Sequence, residues 1–146
     1  VAGCLYTQAS YNGDDFSDRV TIIYGHNMTD GSMFGILEDT YSNSQDFEKY
    51  SDITVYLPKE EKHYRVVAAV PYSDLHIMEQ FGRFEIDEDV LNFEKFICDS
   101  KETKAVYNRR WVPNRKDKLL ILATCQKADY NRRYIIVAKL IEDRDF

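Results

Sequence analysis

Two apolar runs near the C-terminal end constrain the fold more than any other feature of the sequence. LLILATC (residues 119–125) and RYIIVAKLIE (residues 133–142) are rich in Ile, Leu and Val. This composition favours buried strands over helices. The polar connection between the runs is short enough to join neighbouring strands. The sequence therefore predicts two adjacent strands that meet at one edge of a sheet.

Further strand patterns are separated by turn-forming residues. They are CLYTQ (4–8), VTIIYG (20–25), DITVYLP (52–58) and HYRVVAAVPY (63–72). The charged stretch KEEKH before the last of these is interpreted as a hairpin loop, which makes His63 a solvated loop residue. Many short strands with helices between them predict a mainly β domain, a mixed or antiparallel barrel with added helices.

Helical patterns are shorter and weaker, with one exception. SMFGILEDTYS and SQDFEKYS each predict a short helix, and Ser73-Asp74 are interpreted as the N-cap of LHIMEQF. The best helix covers residues 87–101, because acidic residues open it and apolar residues recur on one side. That apolar side comprises Val90, Leu91, Phe93, Phe96 and Ile97.

Length and charge narrow the classes of function. The 146 residues fit one domain, and the net charge of −6 argues against nucleic-acid binding. No apolar run is long enough to span a membrane, and no signal sequence is recognised, so Val1 is expected to be an internal boundary of a longer protein. The three cysteines and the acidic turns lack zinc or EF-hand spacing, so neither a metal nor a cofactor is predicted.

Cys125 ends its strand, where a thiol could act as a nucleophile if a base or a cation lay nearby. Of the three histidines, His63 falls in the charged loop and His76 in a short helix. His26 directly follows the strand VTIIYG and so mirrors the position of Cys125. Two strands that end at the same edge would bring His26 and Cys125 together as a catalytic pair.

Arg133 lies eight positions after Cys125 and begins the return strand. An arginine there could donate to the oxygen that becomes negative when a thiolate attacks an amide carbonyl. Because side chains alternate along a strand, Arg132 is expected on the opposite face. The same alternation places Ala123 beside Cys125 and Tyr24 beside His26, so both could line a peptide groove.

The residues alone also allow a structural interpretation. A cysteine at a strand end is more often a small buried hydrophobe, and paired arginines commonly cover the surface of an acidic protein. Cys4 and Cys98 are interpreted as core residues of this kind. Trp111 is expected to pack the segment before the last strand pair.

Three segments, in order, resemble class B sortases. TIIYGHNMTDGSMFGIL resembles their histidine-bearing segment, LLILATCQKADYNRRYIIVAKL their cysteine strand, loop, arginine and closing strand, and AGCLYTQASYN their early core strand. The resemblance implies an eight-stranded β-barrel with a helix inserted before the catalytic strand, and residues 87–101 fit that helix. It also implies a single catalytic domain over residues 1–146, without the N-terminal membrane anchor and the lead-in helices of the family.

The resemblance further implies a membrane-anchored cysteine transpeptidase on the extracytoplasmic face of a Gram-positive cell. Cys125 would cleave a sorting signal after threonine, and His26 would move the protons. Arg133 and the backbone N–H of Gln126 would stabilise the oxyanion. Surface proteins or pilins would be the substrates, and a cell-wall peptide or a pilin lysine would supply the amine acceptor.

Ala123 departs from the family pattern, in which a serine is common at this position. The class B resemblance favours an Asn-Pro type of sorting motif. Two alternatives stay open: a hydrolytic cysteine peptidase that uses the same pair, and an inactive sortase-like binding module.

Overall fold

The computed structural model describes residues 5–8, 11–13, 15–25, 34–125 and 131–145. Its strands are β1 (Val20–Tyr24), β2 (Asp52–Tyr56), β3 (Glu60–Tyr72), β4 (Val106–Tyr107), β5 (Leu119–Cys125) and β6 (Arg133–Asp145). Its helices are α1 (Leu37–Tyr41), α2 (Ser44–Lys49), α3 (Ile77–Gln80) and α4 (Asp87–Cys98), with a short 3-10 turn at Gly82–Phe84.

The strands form one mixed sheet in the order β1-β5-β6-β3-β2, and β4 pairs with β3 outside this order. β1 runs parallel to β5, whereas the other pairs are antiparallel. The long strands β3 and β6 pair along most of their length and form the centre of the sheet. The order places β5, which ends at Cys125, between β1 and β6.

Both faces of the sheet are covered by apolar side chains, which explains the continuous apolar runs of β5 and β6. On one face, α3 and α4 contribute Ile77, Val90 and Phe93 to a core that includes Ile121 and Ile135. The opposite face packs against helices α1 and α2. That second core comprises Tyr41, Phe47, Tyr64, Val66, Ala69, Leu120, Tyr134, Ile136 and Ala138.

The prediction of a mainly β domain with helices is confirmed, and so is a helix inserted before β5. The described residues form six strands, and within them β1 and β2, at the two ends of the strand order, do not pair with each other. The eight-stranded barrel therefore stays a prediction. In the described part of the chain, no helix combines the length and apolar character needed to cross a membrane.

The predicted hairpin loop KEEKH is wrong in its extent. β3 begins at Glu60, and the turn is closed by the Leu57 N–H donating to the Glu60 carbonyl at 2.8 Å. His63 is therefore a half-buried strand residue, with Nε2 3.0 Å from Glu61 Oε1 and Nδ1 3.3 Å from Thr54 Oγ1. These charged and polar side chains are accommodated within β3 because neighbouring residues form hydrogen bonds with them.

Helix α4 ends earlier than predicted, at Cys98 rather than residue 101. The Tyr107 hydroxyl donates to the carbonyl of Ile97 at 2.8 Å, beside the end of the helix. Cys98 is exposed, which corrects its assignment to the core. Phe96, also predicted on the apolar side, is 55% exposed. Phe96 lies at the edge of the core, where its ring contacts those of Tyr72 and Phe81 at centroid distances of 6.0 and 5.8 Å.

The N-cap predicted for α3 is also wrong. His76, with extended backbone angles, precedes the helix, and the Ser73 hydroxyl instead accepts from the Leu75 N–H at 3.3 Å. Ser73 therefore shapes the turn after β3 rather than the helix start. This turn directs His76 back towards the sheet edge.

Phe93 is completely buried against Phe81 and Phe84, with ring centroids 5.3 and 5.7 Å away. Phe93→Ala is expected to lower the free energy of unfolding by about 3–5 kcal/mol, because it leaves a cavity in the core. Phe96→Ala on the same helix should cost only about 0.5–1.5 kcal/mol, since this half-exposed ring loses edge contacts but leaves no buried cavity. Urea unfolding measures both, and equal losses would contradict the burial of Phe93.

Candidate active site

The candidate site begins with the pairing of β5 and β6. Cys125, the last residue of β5, lies directly opposite Arg133, the first residue of β6. The Arg133 guanidinium donates through Nη1 to Cys125 Sγ at 3.6 Å. A permanently charged donor at this distance stabilises negative charge on the sulfur. The guanidinium is therefore placed to donate to the sulfur, or to an oxygen that becomes negative beside it.

The strand β1 ends at the same edge, because it runs parallel to β5 and in register with it. Tyr24 pairs with Ala123, and the Gly25 N–H donates to the Ala123 carbonyl at 3.1 Å. Gly25 is the last described residue of this segment and directly precedes His26. His26 and Gln126 lie outside the described residues, so their predicted roles stay predictions.

A cleft of about 260 Å³ opens at this edge. Its lining contains four of the residues predicted from the sequence, namely Cys125, Arg133, Tyr24 and Ala123, together with residues from the turn after β3 and from the N-terminal segment. The structure thus brings the thiol, the guanidinium and both predicted groove residues into one concave site. Arg132, which precedes β6, instead donates to both carboxylate oxygens of Glu102, at 3.0 and 3.2 Å, and does not line this cleft.

Tyr24 supplies a hydroxyl to the cleft. Burial, followed by the proximity of Tyr6 and Tyr11, raises the pKa of Tyr24 to about 12. The side chain is therefore a neutral phenol at physiological pH and can donate a hydrogen bond. Its ring stacks on Tyr6 at a centroid distance of 5.4 Å, and this contact holds the aromatic wall of the cleft.

His76 is a cleft residue that the sequence did not single out. Its Nε2 lies 2.5 Å from Gln8 Oε1 and 3.5 Å from the Tyr24 hydroxyl, while its ring lies 4.6 Å from that of Tyr11. An amide oxygen accepts, so Nε2 is the donor to Gln8, while Nδ1 is buried and has no hydrogen-bond partner among the residues that the structure describes. No spacing in the sequence connects Gln8 with His76, so no local signal could have found this contact.

The described residues contain no group of three or more His, Cys, Asp or Glu side chains that could hold a metal ion. The cleft itself presents a thiol, a guanidinium, a phenol and an imidazole. This set of groups suits nucleophilic attack on a carbonyl, with cationic stabilisation of the developing oxyanion.

A sequence model of the Sortase domain family matches residues 6–141. The chain belongs to the sortase family. Sortase B of Staphylococcus aureus is 31% identical over 126 residues, which cover 84% of this chain and 48% of that protein. The predicted resemblance to class B sortases is therefore confirmed.

Solved structures show the same fold. Sortase B of Clostridium perfringens matches with a TM-score of 0.75 at 23% identity, covering 97% of this chain and 74% of that one. A sortase B complexed with Gly3 matches with a TM-score of 0.74 at 25% identity, covering 97% and 64% of the two chains. The chain spans about half the length of the curated relatives it matches.

Gly25 lies at the end of β1 in a position that leaves no room for a side chain. A Cβ there would come within 2.5 Å of Leu5 Cδ2 and 2.6 Å of Phe34 Cδ2. Gly25→Ala is expected to lower the free energy of unfolding by about 1–3 kcal/mol, because the buried Phe34 ring must shift.

Gly13→Ala is the matched control, since the nearest atom to its Cβ would be 3.6 Å away. This change should alter stability by about 0.5 kcal/mol or less in the same denaturant titration. Indistinguishable values for the two variants would contradict the close packing at Gly25.

Proposed function

We propose that this chain is the catalytic domain of a cysteine transpeptidase that cleaves a C-terminal sorting signal after threonine. The observation that carries the proposal is the 3.6 Å contact between Arg133 Nη1 and Cys125 Sγ inside a cleft. A thiol that opens into a cleft can attack a carbonyl carbon, and a guanidinium beside it can stabilise the oxyanion that forms. Membership of the sortase family supports the same reaction class.

In the first half of the reaction, Cys125 Sγ attacks the backbone carbonyl carbon of the threonine. The C–N bond after that residue breaks, and a thioester to Cys125 forms as the downstream segment leaves. His26 donates the proton that the leaving amine requires. Arg133, with the backbone N–H of Gln126, stabilises the tetrahedral oxyanion.

In the second half, a primary amine attacks the thioester carbonyl. His26 accepts the proton of that amine, the C–S bond breaks, and a new amide joins the protein to the acceptor. The acceptor is proposed to be a cell-wall peptide or a pilin lysine, and the substrates surface proteins or pilins. The proposed location is the extracytoplasmic face of a Gram-positive membrane, with an N-terminal anchor in the whole protein.

The cleft offers a surface for the sorting peptide. Tyr24 can donate to a peptide carbonyl, while the small side chain of Ala123 adds no bulk beside the thiol. An Asn-Pro type of motif is the first candidate because of the class B resemblance. A hydrolytic peptidase would form the same thioester, but water instead of an amine would attack it.

The proposal is tested by intact-mass spectrometry of the domain after incubation with a pool of sorting-motif peptides. An added mass equal to the acyl fragment, absent from Cys125→Ala, is expected. Addition of Gly3 should then release the adduct as a ligated peptide. Release as the free acid even with excess Gly3 would favour the hydrolytic peptidase. No adduct with any peptide would favour the inactive binding module.

Arg133→Lys is expected to lower kcat by about 10²–10³-fold, the loss typical of removing one oxyanion donor. Lysine keeps the charge but lacks the planar fork of the guanidinium. Arg132→Lys is the matched control and should stay close to wild type, because Arg132 binds Glu102 instead of facing the thiol. Peptide-ligation kinetics measure both variants. An equal loss of kcat in the two would contradict the proposed role of Arg133.

A further inference from the structure

A second group of polar side chains lies away from the thiol cleft, where α4 packs against the segment that leads into β5. Glu94 of α4 is completely buried. Its Oε2 accepts hydrogen bonds from Trp111 Nε1 and from the backbone N–H of Asn114, each at 3.2 Å. The carboxyl thus connects the inserted helix to residues 111–117.

The remaining oxygen of Glu94 has no such donor. Glu94 Oε1 and Asp117 Oδ2 are both buried and without a hydrogen-bond partner in the described residues. Two carboxylates in contact, Glu94 completely buried and Asp117 half-buried, would carry like charges next to each other, which is unfavourable. Burial and then the charge of Asp117 and a hydrogen bond with it raise the pKa of Glu94 to about 8.

We propose that Glu94 and Asp117 share one proton, and that this protonated pair fastens α4 to the segment before the strand of Cys125. With one carboxyl protonated, its O–H donates to the facing carboxylate, so both unpartnered oxygens gain a partner through one bond. Removal of the proton leaves two adjacent like charges, one of them completely buried, and loosens α4. The inference concerns the fold and is independent of the proposed transpeptidase activity.

In the described residues, no charged side chain nearby donates a hydrogen bond to Glu94 Oε1 or Asp117 Oδ2 in place of the shared proton. Arg115 pairs with Glu88 at 2.8 Å, and Lys116 pairs with Asp87 at 2.6 Å, both near the surface. On α4 itself, burial and then the charge of Glu94 raise the pKa of Cys98, so this thiol stays neutral near pH 7. Arg19 and Lys118 line the neighbouring cleft together with Asp117.

The sign of the pH dependence follows from the direction of the shift. Glu94 binds its proton more tightly in the folded state, where its pKa is about 8, than at its ordinary value of 4.5. The stabilisation is therefore complete below about pH 4.5 and decreases as the pH rises. This group lowers the folding equilibrium constant by up to about tenfold per pH unit until about pH 8, above which its effect is constant.

Trp111, the only tryptophan in the chain, donates directly to Glu94 and is a built-in probe of this pair. The experiment titrates its fluorescence from pH 5 to 10 in the intact chain, and in parallel measures urea unfolding at each pH. The variants are Glu94→Gln and Asp117→Asn, whose amides can donate the missing hydrogen bond without a titratable proton. Glu88→Gln, an exposed change on the same helix, is the control.

The wild type and Glu88→Gln should show a Trp111 transition with a midpoint near pH 8, which both amide variants lose. The ratio of wild-type to Glu94→Gln folding constants should fall by up to about tenfold per pH unit between pH 5 and 8. A pH-independent ratio, or a Trp111 transition that persists in Glu94→Gln, would overturn the shared proton. Stabilisation of the wild type at pH 9 by Ca²⁺, lost in Glu94→Gln, would also overturn it in favour of a cation site.

Discussion

The register of three neighbouring strands is the constraint on which the candidate site depends. β5 pairs with β6 so that Cys125 faces Arg133, and with β1 so that Ala123 faces Tyr24. A slip of one residue in either pair would turn these side chains to the opposite face. The apolar residues that fill both faces of the sheet oppose such a slip, because it would move each side chain from its own core into the other, where its packing partners differ. Packing of the core and geometry of the site are therefore one constraint.

Much of the fold was predictable because its strongest signals are local. Strands β1, β5 and β6 follow from their Ile, Leu and Val content, and α4 from its periodicity. The start of β3 was not predictable, because the charged residues from Glu60 are accommodated by β2 and β6 on its two sides. The exposure of Cys98 was likewise missed, since composition alone does not say which way the last helical turn faces. These errors share one cause, namely dependence on partners distant in sequence.

Some contacts of the candidate site could likewise be predicted from the sequence, and others could not. The short connection between two adjacent strands was enough to place Arg133 beside Cys125. His76 contacts Gln8 although the two residues are 68 positions apart in the sequence. The segment that contains Gln8 also forms an isolated β-bridge, between Tyr6 and Tyr24. Neither segment carries a pattern that identifies the other. The buried contact of Glu94 with Trp111 and Asn114 also depends on a helix packing against a distant segment.

Ala123 gives the wall of the cleft beside the thiol an apolar character. The side chain is 3% exposed, opposes Tyr24 and belongs to the apolar core. A serine at this position would add a buried hydroxyl that needs a hydrogen-bond partner. Alanine removes that requirement and contributes no hydrogen bond of its own. This wall of the cleft still carries polar groups, because His76 Nε2 lies 3.5 Å from the Tyr24 hydroxyl and 2.5 Å from Gln8 Oε1.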